Sequence, residues 1–222
     1  MILRNPVYAA LTGPHASFAD VSGNARRYPA AVAPFLGMPD ELTDADWADA
    51  AELLRAGGPA ALMRPEFEVP DGIKIDKVFD LVQFTAPDGL AAADPETVVL
   101  GADDVPDMLA LVALTDPGPF RSRTIELGTY RGIRRAGELI AMAGMRFSLP
   151  GYVEISAVCT HPSARGEGLA TRLIRAVAAD ITATGRHPFL HTGGTNTTAI
   201  RLYNSLGFTL SNEMKVTIVE AI

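Results

Sequence analysis

The stretch Val158-Cys-Thr-His-Pro-Ser-Ala-Arg-Gly-Glu-Gly-Leu-Ala170 joins an apolar run to a glycine-rich loop and then to an amphipathic pattern. This order predicts a strand, a loop and a helix that begins directly after the glycines. The first N–H groups of such a helix have no partner within it, and its dipole is positive at that end. Gly166 and Gly168 carry no Cβ, so a bulky ligand can approach the main chain. The stretch therefore predicts an anion site suited to a pyrophosphate.

Glycine pairs also occur in other nucleotide-binding loops, and the sequence argues against two of them. A dinucleotide-binding βαβ unit requires a third glycine, where this chain has Thr171, and an acidic residue about 20 residues further on. No Asp or Glu lies between Asp180 and Glu213. A P-loop requires Gly-Lys-Ser/Thr, which the chain lacks. A structural glycine turn without a ligand remains as an alternative.

Strand and helix patterns alternate on both sides of this stretch. Strands are predicted over 98–100, 124–133, 138–147, 152–160, 188–192 and 214–219. Helices are predicted from Asp103 to about Leu114, over 169–181 and over 197–206. The resulting order β-α-β-β-β-α-β-α-β predicts an α+β fold with a mostly antiparallel mixed sheet flanked by helices.

Residues 1–95 are more irregular and rich in Pro and Ala. Thr43-Asp-Ala-Asp46 predicts the cap of a helix over 47–54 that ends at Gly57-Gly58, with Trp47 in the core. Short strands are predicted over 60–63 and 78–84, and the turn-rich segment 86–95 is the predicted linker. The sequence thus favours an N-terminal region, 1–95, followed by a second domain, 96–222.

Composition excludes several classes of function. Of 222 residues, 48% are hydrophobic and 20% charged, which is typical of a globular protein, and the net charge is −7. With no Lys/Arg run longer than two residues, nucleic acid and membranes are not expected as partners. The single cysteine, Cys159, excludes an intrachain disulfide. No apolar run reaches the roughly 18–20 residues of a membrane span, and the start lacks a signal-peptide pattern, so we expect a cytoplasmic protein.

Three segments together resemble the GNAT acetyltransferase superfamily: Val158-Cys-Thr-His-Pro162, Arg165-Gly-Glu-Gly-Leu-Ala170 and Asn196-Thr-Thr-Ala-Ile-Arg-Leu-Tyr203. In that superfamily a Gln/Arg-x-x-Gly-x-Gly/Ala loop holds the diphosphate of acetyl-coenzyme A, and Arg165, Gly168 and Ala170 match it. The resemblance extends over 96–210. It is closest to the branch of the C-terminal domain of glycine N-acyltransferase, through Val158–Pro162 and Leu202-Tyr-Asn-Ser-Leu-Gly-Phe208. In that branch a degenerate GNAT-like half precedes the active one, which implies the same origin for 1–95.

The resemblance implies a GNAT acyl-CoA N-acyltransferase fold, acetyl-CoA as the acyl donor, a primary amine as acceptor and no metal. It implies a monomer or homodimer. It further implies that backbone groups of Val158 and Thr160 pair with the pantetheine arm as an added strand would. The implied cofactor-binding residues are Val158, Cys159, Thr160, Arg165, Gly166, Glu167, Gly168, Leu169, Ala170, Thr171 and Asn196.

Two residues are predicted to be catalytic. Glu154, on the strand that leads to the loop, is the candidate base, acting directly or through a water that Ser156 helps to orient; the alternative is an ion-paired strand glutamate. A β-bulge in this strand would change which side chains share a face. Tyr203, seven residues after Asn196, is the candidate donor to the leaving thiolate, with a packed core aromatic as the alternative. Asn196 is equally well explained as a helix cap.

Other polar residues receive smaller roles. Cys159 has no evident base nearby and is predicted to be an inert buried thiol, while His161 belongs to the turn before Pro162. His191 is a candidate wall of the acceptor pocket. The segment 116–123 is the candidate lip, and its two arginines, Arg121 and Arg123, suggest an acceptor with a carboxylate. The leading hypothesis is an acetyl-CoA-dependent N-acetyltransferase; a non-catalytic acyl-CoA sensor or scaffold and a transferase for longer acyl chains are the alternatives.

Overall fold

The computed structural model describes residues 2–65 and 67–222. Within them the elements are, in chain order, α1 (Pro6–Leu11), β1 (Asp20–Ser22), β2 (Ala25–Arg27), β3 (Leu36–Gly37), α2 (Asp44–Gly57), β4 (Ala60–Arg64), β5 (Ile73–Thr85), β6 (Val98–Leu100), α3 (Val105–Thr115), β7 (Tyr130–Arg135), β8 (Glu138–Leu149), β9 (Tyr152–Thr160), α4 (Leu169–Thr182), β10 (His187–Gly193), α5 (Thr197–Ser205) and β11 (Thr209–Ala221). Short 3-10 turns lie at Ile2–Arg4, Ala16–Phe18, Ala102–Asp104, Thr124–Leu127 and Pro162–Ala164. No helix of these segments is long and apolar enough to cross a membrane.

An eight-stranded sheet forms the centre of the fold, in the order β4-β11-β5-β10-β9-β8-β7-β6. Every neighbouring pair is antiparallel except β9 and β10, which run parallel. Strands β1, β2 and β3 form a separate small sheet. The predicted α+β class and the element order predicted for residues 96–222 are confirmed.

The two parts of the chain, residues 1–95 (the first segment) and residues 96–222 (the second segment), share the large sheet. Strand β5, from the first segment, lies between β10 and β11 of the second, and β4 extends the sheet beyond β11. The predicted linker is fixed to α4, because Arg172 forms an ion pair with Asp94 at 2.6 Å and Ala92 N donates to Arg175 O at 3.2 Å. The run 78–84, predicted as a strand, lies within β5 and pairs with two strands of the second segment.

Helix α2 shows how the first segment is stabilised locally. Its N-terminus has the predicted cap: Thr43 accepts from Asp46 N, and the Asp46 carboxylate accepts from Thr43 N at 2.8 Å. Its C-terminal carbonyls are satisfied by the buried guanidinium of Arg27, which donates to Leu53 O, Gly57 O, Gly58 O and Pro59 O. A cation at this end also complements the helix dipole. Trp47 lies in the core, as predicted.

The strand predicted over 124–133 is wrong in its first half. Thr124–Leu127 forms a 3-10 turn, and the strand begins only at Tyr130. The Thr124 hydroxyl accepts from Arg121 N at 2.7 Å and donates to Val32 O at 2.6 Å, which fixes the turn and ties it to the first segment. Helix α1, the small sheet and the start of β5 at Ile73 also lay outside the sequence prediction.

Candidate active site

Strands β9 and β10 separate halfway along their length. Their pairing ends at Leu190 and Ile155, so residues 156–160 pair only with β8. A β-bulge, which the sequence left open, is present: the β8–β9 register shifts between Met142 and Gly144, and Ala157 takes a positive φ of 51°. The strand edge from Ser156 to Thr160 thus offers backbone groups to which an extended ligand could bind as an added strand.

The glycine-rich loop follows this edge through the turn Pro162–Ala164. Gly166 and Gly168 have φ values of 84° and 77°, which glycine adopts without strain, and a Cβ at either would meet no atom within 4 Å. Among the described residues, no acceptor bonds the backbone N–H groups of residues 166–171. The amides at the N-terminus of α4 are therefore without partners, as an anion site requires.

The residues of the loop differ in their surroundings. Arg165 is exposed and has no ion-pair partner within the described part of the chain. Glu167 pairs with Arg135 at 2.5 Å. Leu169 is buried in the core, whereas Ala170 and Thr171 are half-buried on the first turn of α4. The loop thus offers main-chain donors and one free cation to an anion.

A cleft of about 1030 Å³ opens beside the separated strands. It brings together the predicted residues Ser156, Val158, Asn196 and Tyr203. Asn196 is the cap of α5: its Oδ1 accepts from Ala199 N at 3.0 Å, which leaves its amide nitrogen free for a ligand.

Tyr203 combines a packed ring with an unpartnered hydroxyl. The ring lies 5.9 Å from Phe84 and 5.7 Å from Phe208, between centroids. The hydroxyl bonds no group in the described chain and reaches the cleft. Burial, with the charge of Glu154, raises the pKa of Tyr203 to about 12, so the hydroxyl stays protonated and available as a donor. The ring is therefore packed in the core, one of the two alternatives from the sequence, while the role of the hydroxyl as a proton donor stays a prediction.

A row of polar side chains crosses the sheet beneath the cleft, one on each of β8, β9, β10, β5 and β11. We call these residues the polar row: Arg146, Glu154, His191, Gln83 and Asn212. Arg146 donates to both oxygens of Glu154, at 2.7 and 2.5 Å, and His191 Nδ1 lies 2.7 Å from Glu154 Oε1. Gln83 Nε2 lies 2.8 Å from His191 Nε2, while Gln83 Oε1 accepts from Asn212 at 2.6 Å.

These contacts assign the protons of the row. Since Gln83 Oε1 already accepts from Asn212, Gln83 Nε2 is the donor towards His191. His191 then accepts at Nε2 and carries its proton on Nδ1, which donates to Glu154. His191 is a wall of the cleft, as predicted, but both of its ring nitrogens are engaged.

Glu154 lies in a position that the sequence left open between a base and an ion-paired carboxylate. Its side chain is 1% exposed and both of its oxygens are held, so it does not contact the cleft. Burial acts to raise its pKa, but Arg146 and His191 outweigh burial and hold the pKa at about 2. Such a carboxylate is a weak base, because a general base works best with a pKa near the working pH.

Two further predicted residues lie away from the cleft. The thiol of Cys159 packs with Met108 and Leu111, and burial raises its pKa to about 11, as expected of an inert thiol. His161 Nδ1 accepts from Ser163 N at 3.2 Å within the turn, as predicted. Within 2–65 and 67–222, no three His, Cys, Asp or Glu residues cluster so as to hold a metal ion.

The segment 116–121 forms the predicted lip of the cleft. Of the two arginines in the predicted segment 116–123, Arg121 lines the cleft, whereas Arg123 lies outside it and forms a surface ion pair with Glu126 at 2.7 Å. The opposite wall comes from the first segment of the chain, through Phe35 and residues 59–63. The first segment therefore completes the site.

Arg146 and Gln83 are the functional-site residues that sequence reasoning missed. Each is a polar residue inside an apolar run, Gly-Met-Arg-Phe and Leu-Val-Gln-Phe, and each is fully or almost fully buried. A buried polar residue requires partners, so these two positions carried a usable signal.

Comparison with known proteins places this architecture among its relatives. The family model of FR47-like proteins matches residues 130–216. A GNAT-family protein from Novosphingobium aromaticivorans DSM 12444 is 39% identical over 100% of this chain and 99% of its own, with a TM-score of 0.91. Two further proteins share the fold. The GCN5-related N-acetyltransferase from Kribbella flavida is 17% identical over 96% of this chain and 94% of its own, with a TM-score of 0.65. A GNAT-family acetyltransferase from Colwellia psychrerythraea is 14% identical over 90% of this chain and 81% of its own, with a TM-score of 0.55. A search of curated proteins finds no match.

Proposed function

The chain belongs to the GNAT family of acetyltransferases, and from that premise we propose that it transfers an acetyl group from acetyl-CoA directly to a primary amine. One observation carries the proposal: the unpaired edge of β9 begins at the cleft, beside the unpartnered Tyr203 hydroxyl, and runs along the chain to the unpartnered amides of residues 166–171. These features match the three parts of an acyl-CoA thioester, which are the pantetheine arm, the diphosphate and the sulfur.

Acetyl-CoA would bind along this path. The N–H groups of 166–171 would hold the diphosphate, with Arg165 as an added cation. Backbone groups of Val158 and Thr160 would pair with the pantetheine amides, and the free amide nitrogen of Asn196 would donate to a pantetheine carbonyl. The contribution of Cys159 would be that of its backbone, since its thiol lies in the core.

In the reaction, the amine nitrogen attacks the thioester carbon, a C–N bond forms and the C–S bond breaks. Tyr203 donates its hydroxyl hydrogen to the sulfur as charge develops there. The acceptor arrives as an ammonium ion and loses two protons. The first leaves before the attack, and the second leaves the nitrogen as the C–N bond forms and returns through water to the Tyr203 oxygen, which has given its own hydrogen to the sulfur. We propose that water in the cleft takes the first proton. Glu154 then acts as a positioning residue that fixes His191 and Arg146.

The test is steady-state release of free thiol from acetyl-CoA with a panel of primary amines. Acceptor-dependent thiol release, with one acetylated amine formed for each thiol, supports the proposal. Tight binding of acetyl-CoA without turnover on any amine would favour the sensor or scaffold. A higher kcat/KM for longer acyl-CoA chains than for acetyl-CoA would favour a transferase for longer acyl groups, which the resemblance to the glycine N-acyltransferase branch also permits.

A further inference from the structure

The cleft continues well past the point where the acetyl group would lie. Beyond His191 it follows the sheet onto β5, β11 and β4, as far as Pro34 and Phe35 beside the edge of β4. We call this section the apolar arm; its side chains are Phe35, Ala61, Met63, Leu81, Val216 and Ile218. We infer that the acceptor is a primary amine with an apolar body, and that this body binds in the apolar arm. The inference rests on the proposed function.

The strand register explains why the apolar arm has one chemical character. Val216 lies opposite Met63 and Ile218 lies opposite Ala61, so the four side chains share one face of the sheet. Phe35 pairs with Ala61 in an isolated parallel β-bridge along the outer edge of β4. Leu81 stands two residues before Gln83 on β5, so the same face leads directly into the polar row.

The chain does not cover this face completely. Leu81, Val216 and Ile218 are only half-buried and line the open cleft. In a sheet with one face in water, that face ordinarily carries polar residues. This face instead carries apolar residues at successive positions on three strands. An apolar ligand would remove that surface from water, at about 25 cal/mol for each Å² covered.

Position and charge favour the acceptor as the occupant. The free edge of β9, which leads to the diphosphate loop, takes one end of the cleft, and the acetyl group is too short to extend beyond the separated strands. Asp80 and Asp116 lie on the cleft wall together with Arg121, so besides the paired Arg146 the wall carries two carboxylates and one guanidinium, and this excess of negative charge attracts an ammonium group. The guanidinium of Arg146 is already paired with Glu154, so it offers little net charge to an anion. An amine with an apolar body matches this combination.

The experiment compares n-alkylamines from methylamine to hexylamine at fixed acetyl-CoA. We expect kcat/KM to rise about fourfold per methylene, the factor that corresponds to about 0.8 kcal/mol per buried CH₂. Val216→Thr keeps the side-chain shape and adds a hydroxyl, so it should lower kcat/KM for hexylamine about tenfold and leave methylamine unchanged. Val98→Thr, on the exposed edge strand β6, is the matched control and should change neither.

Several results would overturn the inference. One is a kcat/KM that does not depend on amine length, and another is faster turnover of 6-aminohexanoate or of a short peptide than of hexylamine. A kcat/KM that rises with the length of the acyl chain instead of the amine would also overturn it. If no amine releases thiol, the proposed function fails separately. Calorimetry with coenzyme A present then decides the inference: hexylamine must bind more tightly than methylamine, and Val216→Thr must remove the difference. Equal binding would overturn it.

Discussion

Arg146 and Glu154 form a two-point ion pair inside the sheet, with side chains that are 8% and 1% exposed. The Arg146 guanidinium also lies 5.0 Å from the ring centre of Phe35 and 4.7 Å from that of Phe147. Because the Glu154 pKa is held at about 2, below its ordinary value of 4.5, its contribution to stability is present above pH 4.5. That contribution is lost as the pH falls towards 2. The pair connects the wall of the cleft to the first segment of the chain.

Glu154→Gln should therefore destabilise the protein strongly. It leaves the Arg146 charge buried without a counter-charge, which typically costs about 3–5 kcal/mol. For a chain of this length we expect a fall in Tm of about 10 °C in thermal unfolding. Glu126→Gln removes a carboxylate from an exposed ion pair and should change Tm by no more than about 2 °C. An unchanged Tm with a large loss of kcat would instead make Glu154 the base.

The diphosphate site is tested by a charge change at Gly168. Gly168→Asp and Gly168→Asn introduce side chains of the same shape, and both residue types tolerate the left-handed backbone at this position. Only Asp brings a negative charge to the amides of 166–171. We expect calorimetry to show no acetyl-CoA binding for Gly168→Asp and at least tenfold tighter binding for Gly168→Asn. Equal affinities of the two variants would contradict a diphosphate at this loop.

The first segment should be required for folding. Strand β5 pairs with both β10 and β11, so a chain that begins at Ala93 exposes two strand edges and the half-buried face beside them. We expect this shortened chain to be insoluble or to melt without a cooperative transition in circular dichroism. Co-expression with residues 1–92 should restore a cooperative transition. Cooperative folding and turnover by the shortened chain alone would show that the two segments are independent.

The elements around the cofactor loop were predictable because local signals decide them. The α4 pattern from Leu169 onward is amphipathic, and glycines mark its start and its end at Gly185. Strand β9 is rich in β-branched and apolar residues, which favour a strand. The cap of α2 was predictable for the same reason, since Thr43 and Asp46 bond within one turn. In each case the partners lie within a few residues of one another.

Features that depend on distant partners were not predictable. The insertion of β5 between β10 and β11 joins residues more than 100 positions apart, and no local pattern encodes that pairing. Whether Glu154 is a free base or an ion-paired carboxylate depends on Arg146 and His191, which contact it from neighbouring strands. The derivation of 1–95 from a degenerate GNAT-like half stays a prediction.

Buried His15 should make stability depend on pH. Burial, with the nearby charge of Arg186, lowers the His15 pKa from 6.5 to about 4, and its Nδ1 lies 2.7 Å from the Tyr28 hydroxyl. Between pH 6.5 and 4 the unfolded chain binds a proton that the folded chain does not, so stability falls as the pH falls. The loss approaches about 3 kcal/mol at pH 4. Denaturant titrations at several pH values should show that the free energy of unfolding depends less on pH in His15→Asn than in the unchanged protein. The same pH dependence in both proteins would contradict the lowered pKa of His15.

Tyr203→Phe isolates the proposed donor, because it removes one oxygen and keeps the ring against Phe84 and Phe208. The hydroxyl has no partner in the described chain, so Tm should remain within about 2 °C. We expect kcat to fall roughly 10²–10⁴-fold, the range for general acid catalysis, with unchanged affinity for acetyl-CoA. Tyr152→Phe, on β9 away from the cleft, is the matched control and should retain kcat. An unchanged kcat in Tyr203→Phe, with chemistry shown to be rate-limiting, would leave Tyr203 as a packing residue. A joint loss of kcat and Tm would reveal a structural hydrogen bond.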